Sequence, residues 1–171
     1  MKRICESLGA LLFLGACAGA DVRVETAGLD RARFATFTSF SVVTAADAPP
    51  TGYAAGNATP DVLALATNDV AAELSRRGYQ RNDQSSDLIV RVAAGSRTVL
   101  ESPTGSQARL GVPVMKDTER AIVIDVIARS TSESVFHGVA RYDAARDADP
   151  SKVHETISKI VAEIPSASKA P

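Results

Sequence analysis

Two amphipathic helices with sharp ends constrain the fold more than any other feature of the sequence. The first is predicted to begin at Thr59, which can cap it, and to end at Gly78, a residue suited to the position after a helix. The second is capped by Asp149, opens at Pro150 and stops at Pro165. Apolar residues recur every three or four positions in both helices. Each helix therefore needs an apolar surface on which to pack.

Strand-like segments supply that surface. They are rich in Val, Ile, Phe and Thr and cover residues 22–24, 36–43, 88–92, 120–128 and 135–142. The last two are separated by Thr131–Ser134, which predicts an antiparallel hairpin. Residues 95–119 mix strand-like pieces with Pro and Gly, and they predict either a long hairpin or an irregular flap. Grouped strands with two helices predict an α+β fold, with a mainly antiparallel sheet and both helices packed on one face.

The N-terminus has the pattern of a secretory leader. Lys2 and Arg3 are followed by a short apolar run that ends in Leu14-Gly15-Ala16-Cys17. The run is shorter than the roughly 20 residues that a membrane-spanning helix needs. The tetrapeptide resembles a bacterial lipobox; an ordinary secreted protein is the alternative. We therefore predict a signal peptide over 1–16, a lipidated Cys17 with a tether to residue 21, one domain over 22–165, and a flexible tail over 166–171.

The lipobox resemblance implies palmitate-like acyl chains on Cys17. Two or more such chains hold a protein stably on a membrane. Ala18 follows the cysteine, where many enteric bacteria use aspartate to retain lipoproteins in the inner membrane. We therefore expect a lipid anchor in the outer membrane, with the domain facing the periplasm.

Composition excludes several classes of function. The chain has a net charge of −1, no tryptophan and 5% aromatic residues, so neither a basic field nor a stacking platform for nucleic acid is expected. Its two cysteines are Cys5, in the predicted leader, and Cys17. A domain beyond them has no disulfide, no thiol nucleophile and no Cys-ligated zinc. We predict no cofactor and no metal.

Asp125 is the most unusual residue of the domain. It lies within the apolar run 122–127, where an unpaired buried charge is costly. It could be a functional carboxylate held on a concave sheet face. It could instead point to solvent or pair with Arg91, Arg129 or Arg141 on neighbouring strands, and we favour this second interpretation.

Other candidate residues give weaker signals. His137 and His154 are the only histidines, and no further ligands converge on either at zinc-site spacing, so we interpret both as structural or surface residues. A ligand pocket could form between the sheet and segment 95–119. Its lining would be apolar: Leu110, Val112, Val114 and Met115.

Six short motifs, in order, resemble the family of envelope lipoproteins known as domain of unknown function 4136. They are Asp30 with Phe34, Thr38 and Phe40; Leu74 to Gly78-Tyr79; Asp87 to Val90; Ile124-Asp125-Val126; Phe136-His137-Gly138; and Ile164-Pro165. The family usually has tryptophan where Phe136 stands, and segment 95–119 matches it poorly. The resemblance implies an envelope lipoprotein with an α+β domain. It implies no activity.

Three functions remain open. The leading hypothesis is a non-catalytic binding or assembly module for an unknown envelope protein or small ligand, with the loops at 44–58 and 95–119 as contact surfaces. The second is a small-ligand or lipid binder that assists an envelope transport system. The third is a hydrolase that uses Asp125 or His137, and a cleft that brings these two residues together would favour it.

Overall fold

The computed structural model describes residues 22–55, 59–101, 115–143 and 149–167. These residues form six strands and three helices. In chain order they are β1 (Arg23–Ala27), α1 (Arg31–Phe34), β2 (Ser39–Thr44), α2 (Thr59–Arg76), β3 (Gln80–Arg81), β4 (Leu88–Glu101), β5 (Met115–Ala128), β6 (Glu133–Asp143) and α3 (Pro150–Ala162). Among the described residues no helix is long and apolar enough to cross a membrane.

The strands form one sheet in the order β1-β6-β5-β4-β2-β3. Three neighbouring pairs, β1 with β6, β6 with β5 and β5 with β4, are antiparallel, as predicted. Strand β2, in contrast, is parallel to both β4 and β3. The chain between β2 and these strands passes through α2, which returns it to the end of the sheet where β2 began. The fold is therefore α+β with a mixed, mostly antiparallel sheet.

Segment 95–119 contributes its two ends to a long hairpin. Strands β4 and β5 pair continuously from Leu88 opposite Ala128 to Glu101 opposite Met115. The long-hairpin prediction is confirmed for residues 95–101 and 115–119. The predicted apolar pocket lining falls on Leu110, Val112 and Val114, which lie outside the described residues, as does the side chain of Met115.

The core lies between the sheet and the two long helices, which pack on one face as predicted. Alternate residues of β4 and β5 point into it, including Leu88, Val90, Ile122 and Ile124. Each fully buried aliphatic side chain of this kind contributes roughly 1.5–3 kcal/mol. The predicted helix stripes are buried in full: Leu63, Ala66, Val70 and Leu74 on α2, and Val153, Ile157, Ile160, Val161 and Ile164 at α3.

Gly138 allows α3 to approach β6 closely. A Cβ atom at this position would lie 2.5 Å from Cγ2 of Ile160 and 2.9 Å from Cε1 of Phe136. Ile160 and Phe136 are both fully buried, so neither side chain has room to move aside. The motif Phe136-His137-Gly138 therefore has a packing role.

The ends of α2 and α3 are joined by a small polar clamp. Arg77 donates from Nε to the carbonyl oxygen of Ile164 at 2.8 Å and from Nη2 to that of Ala162 at 2.6 Å. The Tyr79 hydroxyl donates to the carbonyl oxygen of Pro165 at 2.9 Å. Burial raises the pKa of Tyr79 to about 12. The clamp satisfies carbonyl groups that the end of α3 would otherwise leave unpaired.

Asp87 fastens β2 to the start of β4. Its Oδ2 accepts hydrogen bonds from the backbone N–H and the hydroxyl of both Thr38 and Ser39, at 2.9–3.1 Å. Burial acts to raise the pKa of Asp87, but these four hydrogen bonds outweigh it and hold the pKa below its usual value. Asp87 and Thr38 of the family pattern are therefore structural partners.

Candidate functional site

The sheet face opposite the helices carries a cleft. Residues 45–54, here called the cover loop, leave β2 and lie across this face. The loop is attached to β4 at both ends: Ala45 N–H donates to the Val92 carbonyl at 2.8 Å, and Ala54 exchanges two backbone hydrogen bonds of 2.9 Å with Ser96. The attached loop and the sheet enclose the cleft between them.

Gly95 lets the cover loop lie directly on β4. A Cβ at Gly95 would be 2.8 Å from Cβ of Tyr53, 3.2 Å from Cδ of Pro50 and 3.3 Å from the Ala54 carbonyl oxygen. A glycine inside a strand often marks such a close approach of another backbone. Gly95 is therefore the one sequence signal for this contact, since the loop itself has no periodicity.

The cleft has a volume of about 380 Å³. Its floor is apolar and consists of Ala93, Val123 and Val139, which lie side by side on β4, β5 and β6. Pro49 and Pro50 of the cover loop contribute to its wall. The volume falls within the roughly 300–1,000 Å³ of small-molecule sites, near the lower end.

A row of three ionisable side chains borders the apolar floor. Arg91, Asp125 and His137 lie opposite one another on β4, β5 and β6, and all three line the cleft. Oδ1 of Asp125 is 2.8 Å from Nδ1 of His137. Their side chains are 32% and 43% exposed, so the pair belongs to the solvent-accessible face.

The strand's alternation explains how a charge is accommodated within 122–127. Ile122, Ile124 and Val126 point into the core, so Asp125 points to the other face. The expectation that Asp125 faces solvent agrees with the structure. The expected arginine partners do not: within the described chain, Asp125 pairs with His137, because the strand register places His137 beside it on β6.

A bulge sets this register. Ile127 lies opposite Ser134, whereas Val126 lies opposite Phe136, so one extra residue enters β6 at this point. Without it, Phe136 would lie opposite Asp125 and His137 would turn toward the helices. The bulge therefore creates the Asp125–His137 pair.

Two of the three arginines expected to pair with Asp125, Arg141 and Arg129, are engaged elsewhere. Nη1 of Arg141 lies 2.6 Å from Oε1 of Glu25 on β1. Arg129 donates from Nε to the Ser86 carbonyl at 2.8 Å and from Nη2 to the Ser86 hydroxyl at 3.0 Å. Both arginines therefore serve to join segments of the fold.

Tyr53 joins the C-terminal end of the cover loop to β5. Its hydroxyl donates to Glu119 on β5, and the Arg97 guanidinium lies 4.9 Å from the centre of its ring. Burial raises the pKa of Tyr53, and the bond to Glu119 raises it further. Burial acts to raise the pKa of Glu119 as well, but the hydrogen bonds from Tyr53 and Arg97 outweigh it and lower that pKa.

Two of the remaining candidates, His154 and Met115, lie apart from the cleft. Nδ1 of His154 on α3 is 3.4 Å from Oδ2 of Asp69 on α2, so this histidine joins the two helices. Met115 lies at the start of β5, and Cys17 lies outside the described residues. No group of three metal-ligating side chains occurs in the part of the chain that the structure describes.

The cleft is suited to binding through its charged row and apolar floor. Acyl-transfer catalysis with an Asp–His pair would also require a nucleophile within hydrogen-bond reach of the imidazole. Over residues 22–55, 59–101, 115–143 and 149–167, Asp125 is the one side chain hydrogen-bonded to His137. The convergence of Asp125 and His137 meets only part of the requirement for a hydrolase.

Comparison with known proteins identifies a family. The family described as Domain of unknown function (DUF4136) matches residues 24–166. Among solved structures, a PelC dodecamer from Paraburkholderia phytofirmans is 15% identical, with a TM-score of 0.55 over 86% of this chain and 99% of that one. A DUF4136 family protein from Bacteroides thetaiotaomicron is 14% identical, with a TM-score of 0.39 over 83% and 95%. No curated protein matches the chain. The likeness to PelC is one of fold.

Proposed function

The chain belongs to the DUF4136 family, and we propose that it is a non-catalytic, lipid-anchored lipoprotein of the outer membrane whose periplasmic domain binds a ligand or partner in the cleft. The observation that carries the proposal is the open sheet face. The helices cover one face, while the other combines an apolar floor, a charged row and an attached loop. Sites of this make-up are typical of binding proteins.

The anchor is supported by the lipobox-like Leu14 to Cys17. The test is metabolic labelling with a palmitate analogue, followed by separation of inner and outer membranes. We expect label on the wild-type protein in the outer membrane, and none on Cys17→Ser. Ala18→Asp is the matched control in an enteric host, because it should keep the label and move the protein to the inner membrane. An unlabelled wild-type protein free in the periplasm would contradict the anchor.

The binding role is tested in intact cells. A photoreactive amino acid replaces Ala48, an exposed cover-loop residue that lines the cleft; a second strain carries it at Gln84, an exposed residue outside the cleft. We expect one specific adduct from position 48 and none from position 84. Identical patterns from both positions, or no adduct from either, would contradict binding in the cleft.

The Asp125–His137 pair favours a second candidate function, that of a hydrolase. In the proposed binding role the same pair contributes to ligand binding and carries out no reaction. Hydrolysis of 4-nitrophenyl acetate distinguishes the two, because it reports a water-activating Asp–His pair as well as a serine nucleophile. The binding role predicts the same background rate for the wild-type protein and for His137→Gln. Saturable hydrolysis by the wild type that His137→Gln abolishes would contradict the non-catalytic proposal.

Self-assembly is the second way in which the domain could act as a module. The support is that PelC, which shares the fold, has been solved as a dodecamer. Native mass spectrometry of the membrane-extracted lipoprotein measures the number of copies directly. A single-copy species at all concentrations would exclude this alternative and leave binding in the cleft unaffected.

A further inference from the structure

Among the residues that the structure describes, one cation that lines the cleft has no ion pair. Asp125 is engaged by His137, Arg141 is paired with Glu25, and Arg97 lies 3.0 Å from Oε1 of Glu119. Arg91 is exposed and lies opposite Asp125 on the neighbouring strand, but it forms no ion pair within 4.0 Å among the residues that the structure describes. A guanidinium is thus available beside the apolar floor.

We propose that the cleft binds a small monoanionic carboxylate with an apolar body, an inference that rests on the proposed binding role. Arg91 holds the carboxylate, and the floor of Ala93, Val123 and Val139 takes the apolar part. A guanidinium fork matches the two oxygens of a carboxylate, and charge-assisted bonds of this kind are among the stronger ones.

Asp125 determines which anion fits. It lies between Arg91 and His137, so the one positive charge of the row, on Arg91, stands beside one negative charge. A phosphate dianion would meet the Asp125 carboxylate without enough positive charge to offset the repulsion. A single carboxylate needs only the Arg91 charge. The row therefore favours a monoanion.

Asp125 also positions His137. Because its Oδ1 is 2.8 Å from Nδ1, the carboxylate favours the tautomer with the proton on Nδ1, which makes Nε2 an acceptor that cannot bond a carboxylate. We assign Arg91 as the ligand-contacting residue, and Asp125 and His137 as a pair that leaves the Arg91 guanidinium without an ion pair among the described residues. The volume, about 380 Å³, is enough to hold a short aliphatic or aromatic carboxylate.

The test uses the mature lipoprotein in phosphatidylcholine nanodiscs and saturation-transfer NMR. The probe is hexanoate, and hexanamide is its neutral analogue of equal shape. We expect hexanoate to bind the wild type and hexanamide to bind about tenfold more weakly or not at all, since a charge-assisted contact is lost. Equal binding of the two probes, or no binding of hexanoate, would overturn the proposal.

Two variants locate the binding. Arg91→Gln should weaken hexanoate binding about tenfold. Arg76→Gln removes the same charge from an exposed position on α2, on the opposite side of the sheet, and should bind as the wild type does. Unchanged hexanoate binding by Arg91→Gln would overturn the proposal, and a thermal melt shows that each variant is folded. The variants and the wild type are compared with the same probe in the same nanodiscs, so bilayer partitioning of the probe cancels between them; empty nanodiscs supply the background for each probe.

The cross-linking experiment separates this proposal from the broader one. A specific adduct from position 48 without hexanoate binding would overturn the proposal that the ligand is a carboxylate, while the binding role of the cleft would stand. Absence of both would overturn the two together. Hexanoate binding that Arg91→Gln abolishes would support both.

Discussion

Replacement of Gly95 by alanine should open the cover loop without unfolding the domain. The new Cβ would lie 2.8 Å from Cβ of Tyr53, where ordinary contacts begin at 3.4 Å, so the loop must move by several tenths of an ångström. Extra atoms in a well-packed contact cost typically 1–3 kcal/mol. The hydrogen bonds that hold the loop stabilise it by a similar free energy, because each contributes roughly 0.5–1.5 kcal/mol. The loop should therefore yield before the core does.

Hydrogen exchange measures this opening directly. The amides of Ala54 and Ser96, which bond to each other's carbonyls, should exchange about 5- to 150-fold faster in Gly95→Ala, corresponding to roughly 1–3 kcal/mol. Amides in the middle of β5 should exchange as in the wild type. Unchanged exchange at Ala54 and Ser96 in a folded variant would refute the close contact between loop and strand.

Three further substitutions test other contacts. Gly138→Ala should lower the global free energy of unfolding by roughly 1–3 kcal/mol, because its Cβ meets buried core atoms; urea denaturation checks this, and a loss confined to the cover loop would contradict it. Asp87→Asn should reduce stability at pH 7 and flatten its acid dependence. The pKa of Asp87 is lower in the folded protein than in the unfolded chain. Its contribution to the free energy of unfolding is therefore complete above the unfolded pKa, near 4, and is lost as the pH falls through the folded pKa. Equal slopes of unfolding free energy against pH for the two proteins between pH 3 and 6 would contradict this. Tyr53→Phe should speed exchange at Ala54 by removing the bond to Glu119, and an unchanged rate would contradict that role.

The features of the fold that depend on neighbouring residues were predictable from the sequence. The stripe on α3 and its cap at Asp149 follow from local spacing, and the structure contains them; the helix ends at Ala162, three residues before the predicted stop at Pro165. Alternation likewise implies that Asp125 faces away from the core residue Ile124. These predictions hold because helix and strand periods are properties of short segments.

Features that depend on distant segments could not be predicted in this way. The parallel pairing of β2 with β4 follows from how α2 crosses the sheet, and no local pattern records that path. The Asp125–His137 pair depends on a one-residue bulge, and a regular hairpin would have placed Phe136 beside Asp125. The cover loop lacks periodicity, so only Gly95 indicates its position.

Native mass spectrometry of the gently extracted lipoprotein measures occupancy of the cleft. We expect extra mass on the wild-type protein, the same mass on Arg76→Gln, and its loss from Arg91→Gln. Equal masses above the polypeptide and its lipid in all three proteins, or none in any, would contradict binding through Arg91 in the cleft.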